Sequence, residues 1–305
     1  MEVREDGTVV ISNHSLRNIT LCDTKATLVA LGYEGLPETK TLEEAPLKCG
    51  IAIHESMAKY FVTGNKVQSL AIFKRYFQRW SDQYVPQDHR LSYDNVYRVI
   101  NHWFDTHPLE SLPFKVIPEF VECSFELPLT EDGKVILSGR PDALATDKRG
   151  KICIVDHKTM SMLNDSIQVY ELDAQMSGYY YTARAYGLDA QAIWINAIEL
   201  KKLNSSTKTC AKHKVAYRNC APQHLRSDLV EFMRSEQLLN EWYKTAVATA
   251  LKIRALVDKT PSIEYIGRQR MQGMFNNECK YCPFSKFCAT GRKPELASKL
   301  LVKKK

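Results

Sequence analysis

The apolar spacing of this chain changes period after about His107, and the order of the segments on either side constrains the fold more than any other feature. Upstream, Ser15 to Tyr33 is spaced as a helix, with Ser15 a suitable N-cap and Gly32 near its stop. Leu47 to His107 reads as several helices, broken near Gly64-Asn65 and Val85-Pro86-Gln87-Asp88. Downstream, Phe120 to Leu129, Val135 to Ala145 and Lys151 to Asp156 are short and β-branched, with turn-formers at Glu131-Asp132-Gly133 and Asp147-Lys148-Arg149-Gly150 between them. They predict a three-stranded antiparallel meander. A helix over Glu171 to Tyr186 and a strand over Ala190 to Leu200 follow, then a polar stretch from Lys201 to Gln223 and a long helix from Ser227 to about Val257. The remainder is an irregular cysteine-bearing segment and a Lys-rich tail. This order predicts an α/β (α+β) fold with helical additions.

Composition agrees with a packed core: 44% of the 305 residues are apolar and the 25% that are charged are spread among apolar runs, which excludes disordered, collagen-like and coiled-coil chains. No internal repeat or linker stands out, so four parts are expected to form one integrated domain. These are a helical region at 1–118, a core at 119–200, a basic loop and long helix at 201–258, and a cysteine cluster with a basic tail at 259–305. Met1 to Asp6 carries three acids and Val9-Val10-Ile11 is short, unlike a secretory signal. No apolar run approaches the roughly 20 residues of a membrane span. A cytoplasmic, reducing setting with no membrane partner is therefore expected, where an odd count of nine cysteines is better explained by metal ligation than by disulfides.

The segment richest in chemistry is Gly139-Arg140-Pro141-Asp142, followed by Asp156-His157-Lys158. Asp156 and Lys158, two apart on a strand, project from one face, and Asp142 on the neighbouring strand can converge with them. Two carboxylates and an ammonium suit phosphodiester hydrolysis, with hard oxygen ligands holding Mg²⁺ or Mn²⁺ and the lysine orienting the nucleophile or stabilising the anion. Alone, Asp-x-Lys reads more readily as a surface salt bridge. It is accompanied by Gln175 and Tyr179, four apart on the following helix, by His54 after Gly50-Ile51-Ala52-Ile53, and by Glu122 on an earlier strand, with Glu119 and Glu126 nearby.

Near the C-terminus, Cys279, Cys282 and Cys288 form C-x2-C-x5-C, a spacing that points to zinc or an iron-sulfur cluster. On spacing alone the fourth ligand stays open among Cys22, Cys49, Cys210 and Cys220, with His213 an outsider. Cys210, Cys220 and His213 could instead form a separate metal loop, although their spacing matches no usual ligand pattern. Cys123 and Cys153 fall on expected strands and read as small core residues.

The ordered set His54, Glu122, Gly139-Arg140-Pro141-Asp142, Asp156-His157-Lys158 and Gln175-x-x-x-Tyr179 resembles the RecB-like nucleases of the PD-(D/E)xK superfamily. The resemblance spans about Ser12 to Lys293 and implies a restriction-endonuclease-like mixed sheet flanked by helices. It implies that His54, Asp142, Asp156 and the backbone carbonyl of His157 ligate Mg²⁺ or Mn²⁺. Lys158 would be the catalytic lysine, with Gln175 and Tyr179 supporting it and the DNA, and Glu122 an additional acid. A subset similar to AddB-type and CRISPR-associated exonucleases places one cysteine ahead of these motifs and C-x2-C-x5-C after them. For this chain that implies a 4Fe-4S cluster on Cys22, Cys279, Cys282 and Cys288, with zinc as runner-up.

The function expected is a metal-dependent DNA exonuclease acting on single-stranded ends. A structure-specific endonuclease and an inactive nucleic-acid-binding protein are the alternatives. No Gly-x-x-x-x-Gly-Lys-Ser/Thr phosphate loop is present to support ATP hydrolysis. The net charge of +7 hides a division: residues 1–200 hold 20 Lys and Arg against 27 Asp and Glu, and residues 201–305 hold 22 against 8. Lys201, Lys202, Lys208, Lys212, Lys214, Arg218 and Arg226 lie in a stretch without an acid, which with Arg140 offers a path for a phosphate backbone.

Overall fold

The computed structural model describes residues 2–13, 16, 21–36, 42–163, 167–202, 209–220, 225–275 and 278–303. In chain order the elements are β1 (Glu2–Val3), β2 (Val9–Ser12), α1 (Asp23–Ala30), β3 (Tyr33–Gly35), α2 (Ala45–Thr63), α3 (Lys66–Tyr84) and α4 (Tyr93–Thr106). Then come β4 (Phe114–Val121), β5 (Phe125–Pro128), β6 (Val135–Gly139), β7 (Ala143–Asp147), β8 (Ile152–Met160), α5 (Ala174–Ala185) and β9 (Ala190–Glu199). β10 (Ser227–Phe232), α6 (Glu236–Lys259), α7 (Ser285–Ala289), α8 (Ala297–Leu300) and β11 (Leu301–Lys303) complete the chain.

The central sheet has the order β10-β9-β8-β7-β4 and is mixed, with β8 and β9 parallel and the other neighbours antiparallel. Alternate residues of its strands face opposite layers, as a period of two requires. Ala143, Ala145, Cys153 and Val155 pack under α2, α3 and α4, whereas Leu144, Ile154, Ile193 and Ile195 pack against Met176, Tyr180 and Ala183 of α5. The two faces are thus covered by helices, which explains why β8 and β9 read as nearly continuous apolar runs. A second sheet, β1-β2-β6-β5, closes over Trp242, Ala246, Ala250 and Ile253 of α6.

The helix breaks fall where the sequence places them. Gly64 ends α2 in the left-handed conformation (φ 64°), its N–H bonding Tyr60, and the Asn65 side chain caps α3 by accepting from Gln68 N at 3.0 Å. Three expectations are corrected. The meander is divided between two sheets: Phe120 to Leu129 leaves β4 at Glu122 for β5, and Val135 to Ala145 leaves β6 at Arg140-Pro141 for β7. Asp142 consequently sits on the turn into β7. The predicted N-terminal helix is interrupted at Cys22, which is extended (φ −161°, ψ 118°) and caps α1, while its proposed cap Ser15 lies outside the described residues. Ser227–Phe232 is strand β10, and the long helix starts at Glu236, where Ser235 accepts from Leu238 N at 3.1 Å.

The N-terminal helix meets the C-terminal segment. β11 pairs with β3, Leu28 packs with Ile266, Phe284, Phe287 and Leu301, and Asp23 forms ion pairs with Lys252 (2.5 Å) and Arg270 (3.0 Å). Gly35 makes that approach possible, because a Cβ there would stand 2.3 Å from the Pro283 carbonyl oxygen. Gly35→Ala is therefore expected to lower stability by about 1–3 kcal/mol through forced displacement of backbone, read as a fall in Tm. Among the described residues no helix is long and apolar enough to cross a membrane.

Candidate active site

The ladder between β7 and β8 sets the site. Ala143 lies opposite Val155 in antiparallel register, so the next pair outward is Asp142 opposite Asp156. β8 continues alone past the end of β7, paired only to β9, and this overhang carries Asp156, His157 and Lys158. Asp142 accepts the backbone N–H of His157 at 2.5 Å and lies 2.8 Å from His54 Nδ1 on α2. Asp142 and Asp156 are both buried, at 7% and 2% exposure.

Lys158 Nζ pairs with Asp156 Oδ2 at 2.7 Å and donates to Gln175 Oε1 at 3.2 Å. Gln175 Nε2 donates to the Tyr179 hydroxyl at 2.8 Å, and that hydroxyl donates to the Arg140 carbonyl at 3.1 Å. One chain of hydrogen bonds thereby runs from the lysine through one face of α5 to the turn bearing Asp142. Asp173 anchors this helix, its Oδ1 accepting from Gln175 N (2.8 Å) and Met176 N (3.2 Å). Glu122 is the acid that reaches the site: Glu119 is exposed and Glu126 pairs with Arg4. Its φ of 54° turns the backbone at the end of β4, its N–H bonds the Asp142 carbonyl (3.0 Å), and its carboxylate pairs with Arg140 at 2.8 Å.

The electrostatics follow from crowding charge where water is scarce. Burial pushes the Asp156 carboxyl up to about 6; Lys158 pulls against this and Asp142 adds to it. Burial acts on Asp142 too, but the His54 hydrogen bond and charge and the His157 N–H outweigh it, holding its carboxyl below the ordinary value. Burial would depress Lys158, yet Asp156 raises it further, so the ammonium stays charged. Burial raises Glu122, and Asp142 reinforces that shift.

Donor atoms of His54, Glu122 and Asp142 all lie within 4.8 Å of one another. Two carboxylates and an imidazole at that spacing fit a hard divalent cation, whereas Asp156, opposite Asp142 in the ladder and paired with Lys158, is not part of that group. On the opposite face of β8, the His157 ring packs on Phe61 at 5.0 Å and accepts from Asn196 Nδ2 at 2.8 Å, while Asn196 Oδ1 accepts from Trp103 Nε1 at 3.1 Å. Burial lowers the His157 ring to about 4, so it is neutral and serves as a prop. Asn196 and Tyr170, whose ring lies 5.7 Å from Lys158 Nζ, are absent from the sequence reading. The usable signal for Asn196 was a lone amide inside the apolar run Ala192-Ile193-Trp194-Ile195 to Ala197-Ile198. Asn196→Leu would leave Trp103 Nε1 and His157 Nδ1 buried without partners, at a cost of about 2–4 kcal/mol. Urea unfolding should show a lower midpoint at unchanged slope.

A profile of the PD-(D/E)XK nuclease superfamily matches residues 11–289. The chain belongs to that superfamily. The mixed, helix-flanked sheet is consistent with the restriction-endonuclease-like fold of PD-(D/E)XK proteins, and metal-dependent nuclease activity is what membership implies. One solved structure, titled "Crystal structure of SSO0001", aligns over 91% of this chain and 95% of its own, at 16% identity and a TM-score of 0.34. No curated protein matches.

The other expected residues are distributed as follows. Cys22, Cys279, Cys282 and Cys288 line one cavity of about 330 Å³, and Gly273 faces two of them, since a Cβ there would lie 3.4 Å from Cys279 Sγ and 3.7 Å from Cys22 Sγ. No three of these sulfurs lie within 4.8 Å of one another, a spacing that the Cys210, His213 and Cys220 donors do meet. A single tetrahedral zinc would draw thiolates to about 3.8 Å, whereas a cluster places each on its own iron, farther apart. Of the basic residues, Lys202 pairs with Asp88 at 3.2 Å, the Lys201 carbonyl accepts from Asn95 Nδ2 at 2.8 Å, and Lys212 and Lys214 are exposed. Lys208 and the Arg218 side chain lie outside the described residues.

Proposed function

We propose that this protein is a divalent-metal-dependent DNA exonuclease that acts on single-stranded ends inside the cell and carries a structural 4Fe-4S cluster. The observation that carries the reading is the convergence of Asp142 with Asp156 and Lys158, buttressed through Gln175 and Tyr179. His54, Asp142, Asp156 and the His157 carbonyl would hold Mg²⁺ or Mn²⁺, with Glu122 close enough to adjust the same site. Bound there, a divalent cation would supply activation of a water and compensation of developing negative charge. Lys158, kept charged by Asp156 and aimed by Gln175, orients the nucleophile and opposes developing negative charge. Arg140, freed from Glu122 by a phosphate, would meet the strand, as would the exposed Lys212 and Lys214. Cys22, Cys279, Cys282 and Cys288 would hold the cluster away from the chemistry. Preference for single-stranded ends rests on the resemblance to RecB-like exonucleases.

Digestion of 5′- and 3′-labelled single strands with Mn²⁺, beside a closed single-stranded circle, tests the proposal. Linear strands should release short products while the circle survives, and binding should weaken steeply with salt. Cleavage of the circle would show endonuclease action; no cleavage with any divalent ion would sink the enzymatic reading.

A further inference from the structure

Cys210, His213 and Cys220 come together outside the residues proposed to hold the catalytic metal or the cluster. His213 Nδ1 lies 2.9 Å from Cys220 Sγ and 3.8 Å from Cys210 Sγ, and the three donor atoms all fall within 4.8 Å of one another. Their sequence spacing hides this because the backbone reverses between them. Thr209 and Ala216 form an antiparallel bridge, Cys210 N donates to the Val215 carbonyl and Lys214 N to the Cys210 carbonyl, each at 2.8 Å. Lys214 takes a left-handed φ of 59° to complete the turn. A single helical turn, Tyr217–Cys220, then returns Cys220 to its partners.

Both thiols are buried, Cys210 at 4% and Cys220 at 0% exposure, yet among the described residues neither belongs to any of the four apolar clusters. Thiols buried against an imidazole, outside a hydrophobic core and on a loop rich in lysine, are what a bound soft cation organises. We propose that residues 209–220 form a second metal site, in which Cys210 Sγ, His213 Nδ1 and Cys220 Sγ ligate one Zn²⁺. Tetrahedral zinc sets sulfur and nitrogen ligands about 3.6 Å apart and two sulfurs about 3.8 Å apart, so the three donors need to shift by less than about 1 Å. Binding releases the two thiol protons. Two thiolates and one imidazole select zinc over the Mg²⁺ or Mn²⁺ suited to the carboxylates of the active site. The bound ion would fix the hairpin that presents the exposed Lys212 and Lys214.

Metal analysis of the full chain, produced with zinc supplementation and purified without chelator, tests this independently of the 4Fe-4S proposal. One zinc per chain is expected. Cys210→Ser with Cys220→Ser should remove it and leave iron and visible absorbance intact, whereas Cys282→Ser should remove iron and leave zinc. In the unaltered chain, exchange of zinc for Co²⁺ should add the d–d and thiolate charge-transfer bands of tetrahedral cobalt, a readout that needs no variant to fold. Zinc absent from the full chain, unchanged in the double variant, or lost only with Cys282→Ser would overturn the assignment. So would a metal-free chain in which Cys210 is disulfide-bonded to Cys220.

Discussion

Asp156→Asn is expected to lower Mn²⁺-dependent cleavage on the order of 10³-fold or more, without recovery at higher metal concentration. The substitution preserves shape and removes the one charge that both faces Asp142 and pairs with Lys158 at 2.7 Å. Its effect on stability must be separated from its effect on chemistry, because Lys158 then keeps a largely buried ammonium with no carboxylate. Breaking a buried pair from one side costs about 3–5 kcal/mol, and somewhat less here, where the lysine side chain is 19% exposed. Adding Lys158→Met to Asp156→Asn should restore much of the lost stability while leaving cleavage absent. A single variant that cuts within tenfold of the unaltered chain would remove Asp156 from the site. A double variant as unstable as the single would show that the pair is not what links fold and charge.

Much of the site was legible because it is specified by local rules. The turn at Asp147 to Gly150 makes β7 and β8 antiparallel, and that register puts Asp142 opposite Asp156. Period two puts Lys158 beside Asp156, and helical period puts Gln175 beside Tyr179. The parts that escaped depend on contacts between distant segments. Asn196 matters because β9 lies parallel to β8 with Asn196 in register with His157, a pairing that no local pattern encodes. The split of the predicted meander turns on Glu122 and on Arg140-Pro141, where the chain passes from one sheet to the other. Proline, lacking an N–H, was the available sign that no uninterrupted strand crosses that point. Ser227 to Phe232 reads as part of the following helix because its alternation is short and Ser235, the actual cap, lies only a few residues beyond. For Cys210, His213 and Cys220 the left-handed turn at Lys214 does what linear spacing could not reveal.

Removing any one proposed cluster ligand should produce the second large effect, and Cys22→Ser tests it most sharply because Cys22 stands nearly the whole chain away from the others. Anaerobically purified protein should be brown, with iron and sulfide in equal amounts; Cys22→Ser or Cys282→Ser should be colourless and iron-poor. A covalent link across a loop of this length is worth on the order of 5 kcal/mol by chain entropy, so the loss should be visible as a drop in Tm of many degrees. The loss should also be local at first. β3 still pairs with β11, Asp23 still meets Lys252 and Arg270, and Leu28 still packs on Phe284 and Phe287. These contacts hold the two ends together without metal, so proteolysis of the variants should begin around Gly273 to Cys288 before the central sheet is cut. Zinc in place of iron in the unaltered chain, bound by Cys22 and the C-terminal cysteines, would overturn the cluster. It would require those sulfurs to close in on a single ion and the cavity between them to collapse.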